Sequence, residues 1–408
     1  MKRNNLFFVI LLILGACQPK PQPEVSMETD AAILANDSLA GRETGTEGAK
    51  KAATYLKSRM EQIGLKPTAS GSYFQEFSFR PKKDPHSEVQ FGQASDSSVT
   101  GINVVGMVDN GGERTVILGA HYDHLGMGGE GSLHRGDPAI HNGADDNASG
   151  VSLLLQIANR LQKSEGLKDN YLILLFSGEE MGLLGSNFFA KNPSVDLKSV
   201  PYMLNFDMVG RLRQDSTLSV SGTGTTPLWP QMLNTVNPGF KLVLSESGVG
   251  PSDHTSFYLQ DLPVLHFFTG QHEDYHRPTD DSEKLNYKGM ELIADYVEAL
   301  VKAMESQSEV PFRKTKNESE ETPRFKVGLG VVPDYLFDGS GMRIDGVSEG
   351  KPAQAAGLQK GDIVVKLGDS LVTDMMSYMR ALSTFEAGQK AAVEVTRNGQ
   401  HIQVDVQF

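Results

Sequence analysis

Apolar residues along this chain fall into patterns of two kinds. Continuous apolar runs occur at Thr115-Val-Ile-Leu-Gly-Ala120, Tyr171-Leu-Ile-Leu-Leu-Phe176, Tyr202-Met-Leu-Asn-Phe206 and Val264-Leu-His-Phe-Phe268. A strand that is apolar at nearly every position must be covered on both faces, so these runs predict buried strands. Val151 to Leu161 and Met290 to Met304 carry the spacing of helices between or after them. Upstream, Ala49, Ala53, Leu56, Met60 and Ile63 share one helical face, with Thr46 placed to cap it and Gly64 to stop it. Buried strands alternating with helices predict an α/β domain with a mostly parallel central sheet flanked by helices.

The pattern changes at both ends. Leu6 to Leu14 form an apolar stretch behind Lys2 and Arg3. It is too short to cross a hydrocarbon layer of ~30 Å as a helix and reads as the core of a signal peptide. Leu14-Gly15-Ala16-Cys17 resembles the lipobox of bacterial lipoproteins, in which the cysteine is acylated and becomes the first mature residue. Cys17 is the single cysteine of the chain, which excludes disulfides within it. The divisions expected are 1–17 signal peptide, 18–30 tether, 31–304 main domain, 305–323 polar linker and 324–408 a β-rich unit with one helix near Met375 to Leu382. A length of 408 residues suits two or three units, and 39% hydrophobic residues suffice for a core. The net charge of −13 argues against nucleic acid as a partner, which would need a basic face.

Candidate chemistry follows the predicted strands directly. His121-Tyr-Asp123 comes after the first, Ser177-Gly-Glu179-Glu180 after the second, Asp207 after the third, and His276 in the loop after the fourth. Asn142-Gly-Ala-Asp145-Asp146-Asn-Ala-Ser-Gly150 leads into a helix from the same side. Ligands of open α/β sheets bind beyond the carboxyl ends of the strands, so these groups converge on one edge. Each motif alone is weak, because His-x-Asp and Glu-Glu are common in solvated turns. Their succession after buried strands is what points to a metal site.

Together with Asp207-Met-Val-Gly210 and Tyr275-His276-Arg-Pro, these motifs resemble those of metallopeptidase family 28, the co-catalytic zinc aminopeptidases. The likeness runs from about Leu34 to Met304 and includes Gly41-Arg-Glu-Thr-Gly-Thr-Glu-Gly48 and Ser252-Asp-His-Thr-Ser-Phe257. It implies two Zn²⁺ ions, with His121 and Asp207 on one, Glu180 and His276 on the other, and Asp145 bridging them. It implies Glu179 as general base, Asp123 as the carboxylate that orients His121, and a cis peptide between Asp145 and Asp146. Imidazole and carboxylate ligands suit zinc.

His272-Glu273-Asp274-Tyr275-His276 also spells the helix-borne H-E-x-x-H zinc motif. That motif needs both histidines on one helical face, and Gly270 and Pro278 flank the run without an apolar stripe. Ser252-Asp253-His254 has the residue types of a hydrolase triad, but consecutive residues cannot form one, and a hydrogen-bonding role is expected. Asp280 and Asp281 are expected to cap a helix or steady the His276 loop. His124, His134 and His141 read as polar loop residues.

The C-terminal unit resembles a bacterial PDZ domain, through Gly328-Leu-Gly-Val331, Gly357-Leu358 with Gly361-Asp-Ile-Val-Val365, and a helix from Asp374 to Leu382. The resemblance implies that Leu329, Gly330 and Val331 hold the carboxylate of a C-terminal peptide ligand. A packing domain with an occluded groove is the competing reading. Its removal is expected to spare cleavage of small chromogenic substrates.

The whole is expected to be an exopeptidase, an aminopeptidase acting on peptides with a free N-terminus, anchored through lipid to a bacterial envelope membrane. Gln18 after Cys17 favours the outer membrane. A glutaminyl-cyclase-like aminoacyltransferase and a catalytically inactive binding protein are the alternatives.

Overall fold

The computed structural model describes residues 24–68, 71–80, 90–92, 98–129, 131–316, 326–334, 336–337, 339–348 and 350–408. The expected signal peptide with Cys17, residues 18–23 of the tether and part of the linker lie outside the described residues.

The main domain is built on a nine-stranded sheet. Its strands are β1 (Phe74–Arg80), β2 (Gln90–Phe91), β3 (Val99–Val108), β4 (Thr115–His121), β5 (Asn170–Phe176), β6 (Met203–Phe206), β7 (Thr217–Ser221), β8 (Lys241–Ser245) and β9 (Val264–Phe268). They lie in the order β2-β1-β3-β5-β4-β6-β9-β7-β8. The predicted runs form the parallel centre, β5-β4-β6-β9, and antiparallel strands extend it on both sides.

Every residue of β4, β5 and β6 is buried, because both faces are covered. Val116, Leu118, Ile173 and Leu175 join the core under the helices Gly150–Lys163 and Tyr287–Met304. Ile117, Leu172, Leu174 and Phe176 alternate to the opposite face, against Phe189 and Phe257. The helix Glu47–Ile63 is capped by the Thr46 side chain and stopped by Gly64 in the left-handed conformation, so both end signals act as their chemistry requires.

The strand order also places the site. The chain leaves β4 for β5 on one side, then returns past it to β6 on the other. The connections diverge at the carboxyl end of β4, which leaves a crevice at this switch point.

The C-terminal domain is an antiparallel sheet of β10 (Val331–Pro333), β11 (Met342–Val347), β12 (Ile363–Leu367), β13 (Ser370–Leu371), β14 (Lys390–Arg397) and β15 (Gln400–Gln407). Its own core includes Leu329, Ile344, Val364, Tyr378 and Val393. The helix Met375–Leu382 packs on β12 and β13 and starts in a capping box of Asp374 and Ser377.

Candidate metal centre

Four strand ends and one turn deliver the side chains. His121 is the last residue of β4, and Asp207 follows β6 directly. Glu179 and Glu180 sit in a tight turn after β5, where the carbonyl of Glu179 accepts from the N–H groups of Gly182 (2.8 Å) and Leu183 (2.9 Å). His276 lies in the loop after β9. The fifth group comes from the turn Ala144–Ser149 that opens the helix Gly150–Lys163.

The geometry centres on Asp146, which is buried. Its Oδ1 lies 3.4 Å from His121 Nε2, and Asp207 Oδ1 lies 3.4 Å from that same nitrogen. Its other oxygen, Oδ2, lies 3.1 Å from His276 Nε2, which is 3.4 Å from Glu180 Oε2. One carboxylate thus turns an oxygen to each of two neighbouring groups of donors. Tetrahedral zinc with bonds of about 2.0–2.1 Å needs donor atoms about 3.3–3.4 Å apart, so these spacings and donor types fit the ion. The far ring nitrogens agree. His276 donates its Nδ1–H to the Gly131 carbonyl at 2.8 Å, and His121 Nδ1 faces the Asp123 carbonyl at 3.3 Å. Both imidazoles therefore present Nε2 to the cluster.

This corrects the expected bridge. Asp145 does not face the cluster. Its Oδ1 accepts the Gly210 N–H at 2.7 Å and its Oδ2 lies 3.0 Å from His272 Nε2. In the short non-periodic turn the two neighbouring carboxylates point apart, and the one nearer the helix reaches the site. The cis peptide is likewise at Asp146–Asn147 and not at Asp145–Asp146.

His124 is the residue that sequence reasoning passed over. Its ring is fully buried and its Nδ1 lies 2.8 Å from Glu180 Oε1, which makes it a neighbour of the cluster instead of a polar loop residue. Burial holds its pKa well below the usual value, against the pull of Asp146. The available signal was its place three residues after His121, in the same strand-end loop. His134 and His141 stay in the adjoining loop, where His141 Nε2 pairs with Ser132 at 2.8 Å.

Buried carboxylates dominate the electrostatics. Burial and neighbouring carboxylates push Glu179 and Glu180 well above the ordinary range, against the pull of His121 and His276. Burial opposes charge on His276, but Asp146 and Glu180 outweigh it and lift the ring to about 9. His121 is raised in the same way by Glu179 and Asp207. So many carboxylates in one buried place require positive charge among them, which a divalent cation can supply.

Supporting groups hold this geometry. Ser252 donates to Asp207 Oδ2 at 2.7 Å and accepts from Asn205 at 2.8 Å, the hydrogen-bonding role expected of that motif. Asp280 Oδ2 accepts the backbone N–H groups of Asp145 (2.8 Å) and Asp146 (3.1 Å), which ties the bridge turn to the His276 loop. Asp123 accepts the Glu179 N–H at 3.1 Å, while its carboxylate stays 3.8 Å from His121 Nδ1. Its backbone carbonyl, not its carboxylate, is the nearer group to that ring.

Arg42 is fully buried and donates to the carbonyls of Tyr122 (2.8 Å), Asn142 (2.6 Å), Gly143 (2.9 Å) and Leu34, pinning the loops after β4 to the N-terminal segment. Burial lowers its pKa to about 10 against the pull of Asp123 and Asp146, so it stays charged. Gly41 beside it has φ +69°, and a Cβ there would lie 2.5 Å from the Gly126 carbonyl oxygen. Residues 272–276 form turns rather than a helix, so His272 and His276 part, one to Asp145 and the other to the cluster.

In the C-terminal domain, Leu329 is buried in the core, and its carbonyl accepts from Ala353 at 2.8 Å. The Gly330 carbonyl accepts from Ser348 at 2.8 Å, and Val331 opens β10, the edge strand of its sheet.

Residues 103–301 match the peptidase family M28 model, and residues 310–408 match the PDZ domain model. Among curated relatives, the probable lipoprotein aminopeptidase LpqL of Mycobacterium tuberculosis is 27% identical over 194 residues, 43% of this chain and 36% of that protein. The chain spans less than half the length of the curated leucine aminopeptidases it matches. Among solved structures, a zinc aminopeptidase from Bacillus subtilis aligns with a TM-score of 0.53 at 17% identity, over 72% of this chain and 98% of that one. Porphyromonas gingivalis glutaminyl cyclase aligns equally well, with a TM-score of 0.53 at 18% identity, over 68% and 97%. At these identities the likeness is one of fold.

Proposed function

We infer that this chain, which carries a peptidase family M28 domain followed by a PDZ domain, is a zinc-dependent aminopeptidase with a two-metal centre. The observation that carries the reading is the Asp146 carboxylate, with one oxygen toward His121 and Asp207 and the other toward His276 and Glu180. His121 and Asp207 would hold one zinc, Glu180 and His276 the other, and Asp146 both. Bound there, zinc supplies Lewis acidity toward a carbonyl oxygen and lowers the pKa of water toward neutrality.

The remaining work falls to the chain. Glu179 lines the same cavity as the cluster, and Asp123 fixes its backbone. It accepts the proton of the attacking water and returns it to the leaving amine nitrogen. Asp123, Ser252 and Asp280 act through the groups they hold. In the PDZ domain, backbone N–H groups of Leu329, Gly330 and Val331 would receive the carboxylate of a C-terminal peptide ligand.

The purified full chain should contain about two zinc ions and release a chromogenic amine from an aminoacyl amide. Chelation should abolish that turnover, and added Zn²⁺ should restore it. Zinc-loaded protein that instead cyclises an N-terminal glutamine would establish the glutaminyl cyclase reading. Zinc-loaded protein with neither activity would establish the binding-protein reading.

The lipobox-like segment ending at Cys17 supports a lipid anchor in a bacterial envelope membrane, as does the mycobacterial lipoprotein relative, and Gln18 favours the outer membrane in this reading. Among the described residues, no helix is long and apolar enough to cross a membrane. Cys17→Ser should move the protein from the membrane to the soluble fraction. Retention after detergent-free washing would refute the anchor.

A further inference from the structure

The catalytic cavity is not made by the peptidase domain alone. Its volume is about 840 Å³, and its lining includes His121, Asp146 and Glu179 together with Met375 and Met379 of the C-terminal domain. Those methionines are four residues apart on the helix Met375–Leu382, so they share one face. The cavity is also lined by Ser219 and Ser221 of β7 with Val243 and Ser245 of β8. On β7, Ser219 and Ser221 alternate with Leu218 and Val220, which turn into the core. The cavity thus has small side chains on β7 and β8, His266 and Phe268 on β9, and long, flexible thioethers on the C-terminal domain.

The two domains are also joined beside the metal loop. Arg213 donates to both oxygens of Asp334, at 3.1 and 3.3 Å, and Arg343 donates to the same carboxylate at 2.8 Å. Leu336 is buried against Gly270, where an added Cβ would lie 2.8 Å from its Cδ1. Gly270 leads into the loop that carries His276.

We propose that the C-terminal domain is a specificity-determining wall of the catalytic cleft, with Met375 and Met379 receiving an apolar side chain of the peptide substrate. The inference rests on the peptidase reading above. Methionine is unbranched and polarisable, so this wall accommodates varied apolar side chains, while a charged one loses its hydration against it. A pocket of this size suits a short peptide. The expectation that removing residues 324–408 spares small substrates is therefore revised, because that removal also takes away part of the cavity lining.

The test uses zinc-loaded full chains and a dipeptide panel with Leu, Met, Phe, Ala, Ser and Glu at the first and then the second position. The wild type should prefer Leu, Met and Phe over Ser and Glu at one of these positions. Met375→Ser/Met379→Ser should reduce that preference in kcat/KM by about 10-fold or more, chiefly through KM, with zinc content unchanged. Arg213→Glu, which sets like charges against Asp334 and Asp345, should undock the wall and reduce the preference in the same direction. A preference unchanged in both variants overturns the proposal. So does a uniform loss across the panel, the mark of a merely structural role. A wild-type protein that hydrolyses none of the dipeptides overturns the peptidase reading itself.

Discussion

Glu179→Gln should keep its zinc and lose about 10²- to 10⁴-fold in kcat, the contribution typical of a general base. The substitution leaves His121, Asp146, Glu180, Asp207 and His276 untouched, so metal content should hold. What disappears is the carboxylate to which we assign proton transfer from water beside the cluster. Glu273→Gln is the matched control. Glu273 is exposed and lines a separate cavity with Arg277 and Lys360, so kcat should change little. The H-E-x-x-H reading demands the reverse result, with Glu273→Gln inactive and His272→Ala stripped of metal. Zinc content and kcat of these variants decide between the two.

Asp146→Asn should have the largest effect on metal binding. An amide has one oxygen acceptor and no charge, so it cannot face both donor groups as the carboxylate does. Losing an outer partner of a ligand typically costs 10–100-fold in metal affinity, and losing the shared ligand should exceed that. Asp145→Asn should behave differently. Its oxygen can still accept the Gly210 N–H, so zinc content should stay near wild type, with a stability loss of about 1–2 kcal/mol from the weakened His272 contact. Zinc titration with thermal unfolding of both variants reads the outcome. Metal loss in Asp145→Asn with metal retained in Asp146→Asn would return the bridge to Asp145.

The buried strands were legible because their burial is written in composition. A strand covered on both faces tolerates almost only apolar residues, and β4, β5, β6 and β9 carry them nearly without interruption. The helix Glu47–Ile63 was equally legible, because Thr46 and Gly64 act through local chemistry at its ends. The approximate place of the site followed too, since ligands gather beyond the carboxyl ends of parallel strands.

Tertiary structure alone decided the rest. Asp145 and Asp146 are identical side chains one residue apart in a turn without periodicity, so nothing local says which one faces the cluster. Their directions are set by contacts far along the chain, from Gly210 on one and His276 on the other. His124 joined Glu180, Ser252 reached Asp207, and Arg42 bound carbonyls 80 to 101 residues away by the same long-range packing. Met375 and Met379 line the cavity that holds His121 and Glu179, and Asp334 meets Arg213, 121 residues apart, through the same packing of the two domains. Patterns in a chain report which residues must be buried and where regular structure begins and ends. Which two distant side chains meet depends on how the finished elements pack, and that is a property of the whole fold.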